Sequence, residues 1–201
     1  TYDPQKWVKA AEACKLCIDE AEKAGYKLYK EYNDDGSIDP FMSTYNVHLK
    51  RWSEGNREIT FPVTKGNAYK QIDGLLNWCS VREVGGGNGL GVYQGLVDAF
   101  FTKNGLPISD VNSNYNEEGF SNAVDTRNTK WEYGTGKPGE VTAKHTYNMY
   151  CNREPRFYNA VTYNGAWLTY VNRKVDMFYN HKDNIQSSSP HDAPQNGYLL
   201  R

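Results

Sequence analysis

The sequence predicts a mainly helical domain with a few short strands and long loops, and three observations carry that expectation. Residues 4–24 repeat Trp7, Ala10, Ala11, Cys14, Cys17, Ile18 and Ala21 at helical spacing. Weaker stripes of the same period recur at 41–52, 68–79 and 93–101. Residues 109–142 are nearly bare of aliphatics and hold Asn112, Asn114, Asn116, Asn122 and Asn128 among many Gly and Thr. An irregular stretch that long in a domain usually serves a function or is disordered.

The first helix has both its ends written locally. Asp3 is a good N-cap, Pro4 suits a first turn, and Gly25 is a good terminator. Its Trp7/Cys14/Ile18 face is expected to pack, with part of it left exposed. Asn33-Asp-Asp-Gly36 reads as a turn. Asn33, Asp35, Ser37 and Asp39 alternate like calcium ligands, but a calcium loop there would put Met42 at the closing position, and Met does not ligate a hard cation. Phe41, Tyr45, Leu49 and Trp52 suggest a second helix ending near Gly55, and residues 58–63 a short edge strand. Ala68, Ile72, Leu75, Leu76 and Cys79 suggest a third helix, with Trp78 beside its stripe. Gly85-Gly-Gly-Asn-Gly-Leu-Gly91 fits neither a dinucleotide fingerprint nor a phosphate loop. It reads as a mobile loop or as backbone lying close to a ligand. A helix follows over 93–101, and residues 168–179 read as a strand. Residues 180–197 read as a polar loop.

With 23 Lys and Arg against 24 Asp and Glu, the net charge is −1, which excludes a basic footprint for nucleic acid. No apolar run reaches the roughly 18 residues of a membrane span. Mean hydropathy is −0.80, yet 14 % of the residues are aromatic. Tyr and Trp join an apolar face to a polar tip, which suits either a core with hydrogen-bond partners or a surface that meets polar rings. Cys14 and Cys17 share a helix face, while Cys79 and Cys151 are far apart, so no four-cysteine zinc spacing exists. No nucleophile elbow or metal-hydrolase motif is found, and neither cofactor nor metal is expected. Two catalytic carboxylates would leave no spacing signal.

The organising stretch is Asn152-Arg-Glu-Pro-Arg-Phe-Tyr158. Asn152 can cap a turn, Pro155 suits a first turn, and Arg153, Glu154 and Arg156 set a carboxylate between guanidiniums. One of the two arginines is expected to pair with a carboxylate, Glu154 being the nearest. Phe157, Tyr158, Val161 and Tyr163 read as a β-prone run stopped by Asn164-Gly165.

This stretch resembles the Asn-Arg-(Asp/Glu)-Pro-Arg signature of the SusD/RagB family of outer-membrane glycan-binding lipoproteins. Asp3-Pro-x-x-Trp7, Arg57-Glu-Ile-Thr-Phe61, Leu96-Val-Asp-Ala-Phe100 with Asn104-Gly-Leu-Pro-Ile108, and Gly197-Tyr-Leu-Leu-Arg201 agree in the family's order. Before Leu96 the family usually shows Pro-Thr, where this chain has Val92-Tyr-Gln-Gly95. The resemblance implies a SusD-like fold in which TPR-type helices pack against an irregular, loop-rich region with a few short strands. It divides the chain into a TPR-type helical part over 1–55 and a loop-rich ligand-binding part over 56–201. Together these form one structural unit, expected to be an internal piece of a longer protein.

The resemblance also implies a function: non-catalytic binding of polysaccharide or oligosaccharide at the cell surface. Import would run through a SusC-like TonB-dependent transporter, with the outer membrane reached by a lipid anchor outside this stretch. A glycoside hydrolase and a helical protein–protein scaffold are the alternatives. Family glycan contacts tend to come from loops before the signature. That singles out Trp78, Tyr93, Trp131 and Tyr133 as stacking rings, and Arg82 and Asn88 as polar partners. The signature residues Asn152, Arg153, Glu154, Pro155 and Arg156 are assigned a structural role.

Overall fold

The computed structural model describes residues 2–60, 77–185, 194 and 196–201. Helix α1 spans Pro4–Lys23 and starts as its caps dictate: the Asp3 carboxylate accepts from Gln5 N at 3.0 Å, and Pro4 opens the first turn. It buries none of its residues. Trp7 is 69 % and Ile18 56 % exposed, so the Trp7/Cys14/Ile18 face stands open rather than packed. All four cysteines are free thiols.

A hairpin of β1 (Glu31–Tyr32) and β2 (Ile38–Asp39) turns at the predicted 33–36 and leads into α2 (Pro40–Asn46). The second helix therefore ends well before Trp52, which lies in a separate 3-10 turn at Trp52–Glu54. Asp39 caps α2 and is fully buried. Its carboxylate accepts from Phe41 N, Met42 N, the Thr129 hydroxyl and Lys130 N. That set ties α2 to residues 129–130, about ninety residues away. Residues 58–60 form no strand. The rest of the expected edge strand and residues 68–76 of the expected third helix lie outside the described residues, although 77–79 are helical. Of the polar loop expected at 180–197, residues 186–193 and 195 also lie outside them.

Helix α3 (Gln94–Ala99) falls within the expected 93–101. The irregular 109–142 stretch carries only a short bulged pair, β3 (Asp125–Thr126) with β4 (Glu140–Thr142). The signature then reads differently from its local propensities. Asn152 takes a left-handed φ of 56° and caps nothing; Glu154 is the N-cap residue, and Pro155 begins α4 (Pro155–Ala160). Phe157 and Tyr158 are thus helical, and only Val161–Tyr163 form a strand, β5. Proline at the first helical position outweighs the β preference of the rings behind it. The expected strand over 168–179 is instead a hairpin of β6 (Trp167–Leu168) and β7 (Arg173–Lys174) around a 3-10 turn at Thr169–Val171. Strand β8 (Tyr198–Leu200) pairs antiparallel with β5, and its Leu199 also bridges to Gly91.

The core sits where these pieces meet. Phe41 of α2, Trp131, and Phe157, Tyr158 and Tyr163 form a continuous aromatic cluster with ring centroids 5.1 to 6.2 Å apart. Such edge and offset contacts add to the burial of each ring. Arg153 is buried beneath it. Its guanidinium donates to the carbonyls of Met149 at 3.0 Å, Val97 at 2.5 Å and Phe100 at 2.9 Å, and lies 4.9 Å from the Phe157 ring centroid. Among the described residues no carboxylate pairs with it, so the expected ion pair belongs to Arg156 alone. Arg156 meets Glu154 at 2.6 Å, and Glu154 also accepts from Phe101 N at 2.9 Å. Desolvation lowers the Arg153 pKa from its ordinary value, and the three carbonyls take the place of a counter-ion.

Candidate functional site

The glycine-rich stretch shapes the candidate site. Its backbone folds back on residues 77–80: Gly87 N donates to Asn77 O at 2.7 Å, Asn88 N to Ser80 O at 3.2 Å, and Leu90 N to Trp78 O at 3.0 Å. The Trp78 ring lies against this backbone. A Cβ at Gly87 would meet Trp78 Cε3 at 2.8 Å, and one at Gly89 would meet it at 2.5 Å. Glycine is required at both positions because the indole occupies the space of a side chain. The rest of the indole faces outward, and Trp78 is 48 % exposed. Arg82, one 3-10 turn along, shares with it a shallow cleft of about 290 Å³ lined also by Asn77 and Gly85–Gly87.

Long-range polar contacts hold the loop. Glu83 is paired with Lys182 at 2.6 Å and with Arg173, and Arg173 grips the buried Asp183 carboxylate at 2.7 and 2.8 Å. The Lys182 ammonium, and then the Arg173 guanidinium, hold the Glu83 carboxyl below its ordinary value. Asn88 Nδ2 donates to Asp183 O at 3.2 Å. Asn88 is 1 % exposed, so its side chain anchors the loop from beneath instead of facing a ligand. Sequence reasoning missed Glu83, Arg173 and Asp183 because partners about ninety residues apart leave no spacing signal.

An aromatic face flanked by a guanidinium, on a backbone preset by glycine, can stack on the C–H face of a sugar and hydrogen-bond its hydroxyls. A model described as the SusD family matches residues 58–201. The chain belongs to the SusD family. A solved structure of selenomethionine BT4246 aligns with all of this chain and 37 % of its own, at TM-score 0.62 and 20 % identity. A second, a SusD-like protein (BF3747) from Bacteroides fragilis, is 20 % identical over 90 % of this chain and 30 % of its own, at TM-score 0.49. No curated protein matches. The fold is SusD-like, and the chain spans only 37 % and 30 % of these two proteins.

Within this SusD family chain the other predicted rings part company. Tyr93 is 69 % exposed and rests on Gly95, but it does not line the Trp78 cleft. Trp131 is a core residue, not the stacking platform its loop position suggests. It is 1 % exposed, with Phe41 at 5.3 Å and Tyr158 at 6.1 Å, and presents no face to a ligand. The cause is upstream: the Asp39 contacts to Thr129 and Lys130 draw the chain onto α2 and turn the next ring inward. Tyr133 is half-buried and stacked on Tyr45 at 4.8 Å. Burial first, and then the hydrogen bond to Tyr133, push the Tyr45 phenol up to about 12.

Proposed function

We propose that this chain is part of a cell-surface glycan-binding protein that holds polysaccharide or oligosaccharide without turning it over. The observation that carries the reading is the half-exposed Trp78 indole, laid on the Gly87 and Gly89 backbone beside Arg82, in a member of the SusD family. The indole takes the apolar face of a sugar ring, and Arg82 hydrogen-bonds its hydroxyls. Tyr93 offers a further exposed ring outside the cleft. In the same reading the full-length protein is an outer-membrane lipoprotein that hands glycan to a SusC-like TonB-dependent transporter. Residues 1–55 are its TPR-type part, and 56–201 its ligand-binding part.

A glycan array on the full-length protein, followed by affinity gels with Trp78→Ala, tests the site. Loss of about 1–3 kcal/mol of binding is expected, by analogy with bases stacked on aromatic side chains. Unchanged retention on every glycan bound by the wild type would remove the site from these residues. Co-purification with a barrel encoded beside it tests the transporter partnership, and a lone full-length protein in mild detergent would count against it.

A further inference from the structure

A second cleft, with none of its lining residues shared with the Trp78 and Arg82 cleft, lies between two backbone walls. One wall is the pairing of 119–121 with 145–148. Ser121 N donates to Thr146 O at 2.8 Å, His145 N to Ser121 O at 2.9 Å, and Phe120 bridges Tyr147. The other wall is the Asn164-Gly165 turn with β7 and the 176–181 turn. There Gly165 N donates to Val175 O at 2.9 Å and His181 N to Phe178 O at 2.9 Å. Between them lies a volume of about 600 Å³, within the range of small-ligand sites.

Its lining has two parts. Phe120 and Phe178 are 56 % and 55 % exposed. Each is nevertheless fixed by an edge contact, Phe120 on Tyr147 at 5.5 Å and Phe178 on His181 at 5.5 Å. These are oriented rings with free faces. The charged groups are Lys144, Lys174, Asp176 and, when protonated, His145 and His181. Both Asp176 carboxylate oxygens lie 3.0 Å from His181 Nδ1, so that carboxylate is engaged. Among the described residues neither lysine ammonium is in an ion pair. Asn164 spends its carbonyl oxygen on Met177 N at 2.7 Å, leaving its amide N–H groups as donors.

Fixed aromatic faces, uncommitted ammoniums and an amide donor together select a ring that bears a negative charge. We propose that this cleft is a second glycan subsite, specific for an acidic sugar unit carrying a carboxylate or a sulfate ester. The proposal extends the glycan-binding reading to a different site. Phe120 and Phe178 take the ring, Lys144 and Lys174 take the anion, and Asn164 donates to a hydroxyl.

The test measures affinity of the full-length protein for oligogalacturonate, its neutral methyl ester and a sulfated galactan oligomer. The wild type is expected to bind at least one acidic probe, and which one identifies the anion. Lys144→Gln with Lys174→Gln should weaken that binding about tenfold, as for loss of a charge-assisted hydrogen bond, and leave the methyl ester unchanged. Phe178→Ala should weaken it too, and Trp78→Ala should not. The proposal is overturned if neither acidic probe binds, if binding survives the double lysine substitution, or if Trp78→Ala alone abolishes it. A protein that holds a neutral glycan through Trp78 yet binds neither acidic probe loses this subsite and keeps the first.

Discussion

Helix α1 and the signature turn are opposites. The helix has a cap, a proline start, a glycine stop and twenty residues of good periodicity, and it buries nothing. The signature is a short helix and a three-residue strand around a left-handed asparagine, and it buries Arg153, Phe157, Tyr158 and Tyr163 almost completely. Local signals place an element; contacts from far along the chain decide whether anything depends on it. Sequence regularity and energetic importance are therefore separate quantities in this protein.

Alkali gives the largest contrast, because it acts on all the buried phenols together. Burial raises the Tyr45 and Tyr115 pKa values from 10.0 to about 12, and it raises those of Tyr158 and Tyr163 as well. A phenol raised on folding stabilises the fold fully below its unfolded pKa, and that contribution is lost as pH climbs through its folded one. Stability should fall from about pH 10 to 12, with the core lost before α1 helicity. Near- and far-ultraviolet circular dichroism followed side by side would separate the two regions, and coincident loss would erase the contrast.

Arg153→Met is expected to cost about 3–5 kcal/mol, the range for breaking a buried charged contact, because three carbonyls lose their donor. Urea denaturation measures it, and a cost under about 1 kcal/mol would mean that water replaces the guanidinium. Trp131→Ala should cost about 3–5 kcal/mol in the same assay, as large-to-small core changes do. Trp78→Ala should leave the midpoint nearly unmoved while weakening glycan retention. Loop position alone suggests one role for both tryptophans, but only Trp78 keeps an exposed face, while Trp131 belongs to the core.

The two helix caps sharpen the comparison further. Asp39→Ala should exceed the usual cap cost of about 1 kcal/mol, since Thr129 and Lys130 also lose their acceptor. Asp3→Ala should fray α1 locally and shift the global midpoint by no more than about 0.5 kcal/mol, as surface changes do. Trp7→Ala, at the small end, should fall within the same limit for this chain. Equal effects of Asp3→Ala and Asp39→Ala would show that α1 is coupled to the core after all.

What the sequence discloses follows the same division. The bounds of α1, the turn at 33–36 and the turn at Asn164-Gly165 are written in adjacent residues, and the structure has them there. The first turn at Pro155 is equally local, but the β-prone rings behind it hide that the helix runs on through Phe157 and Tyr158. Trp78 and Arg82, four positions apart, line one cleft, Trp78 from the helical 77–79 stretch and Arg82 from the 3-10 turn that follows. The inward turn of Trp131 depends on Asp39, and the fixing of the glycine loop on Asp183. No window of neighbouring residues contains either relation.

The position of β8 has a kinetic consequence. Leu199 pairs with Thr162 on one side and bridges Gly91 on the other, and Arg201 N closes onto Ala160 O at 2.9 Å. One short strand thus joins segments brought together across long loops. Loop closure of that length must precede any gain from the pairing. Hairpins such as β1–β2 form on their own in microseconds; β8 has no local partner and docks only when both its neighbours are in place. Refolding should be slow, on the order of milliseconds to seconds, and until β8 docks the Val161–Tyr163 edge stays open to strands of other molecules. During that interval pairing between molecules competes with docking, so dilution should raise the yield of native protein.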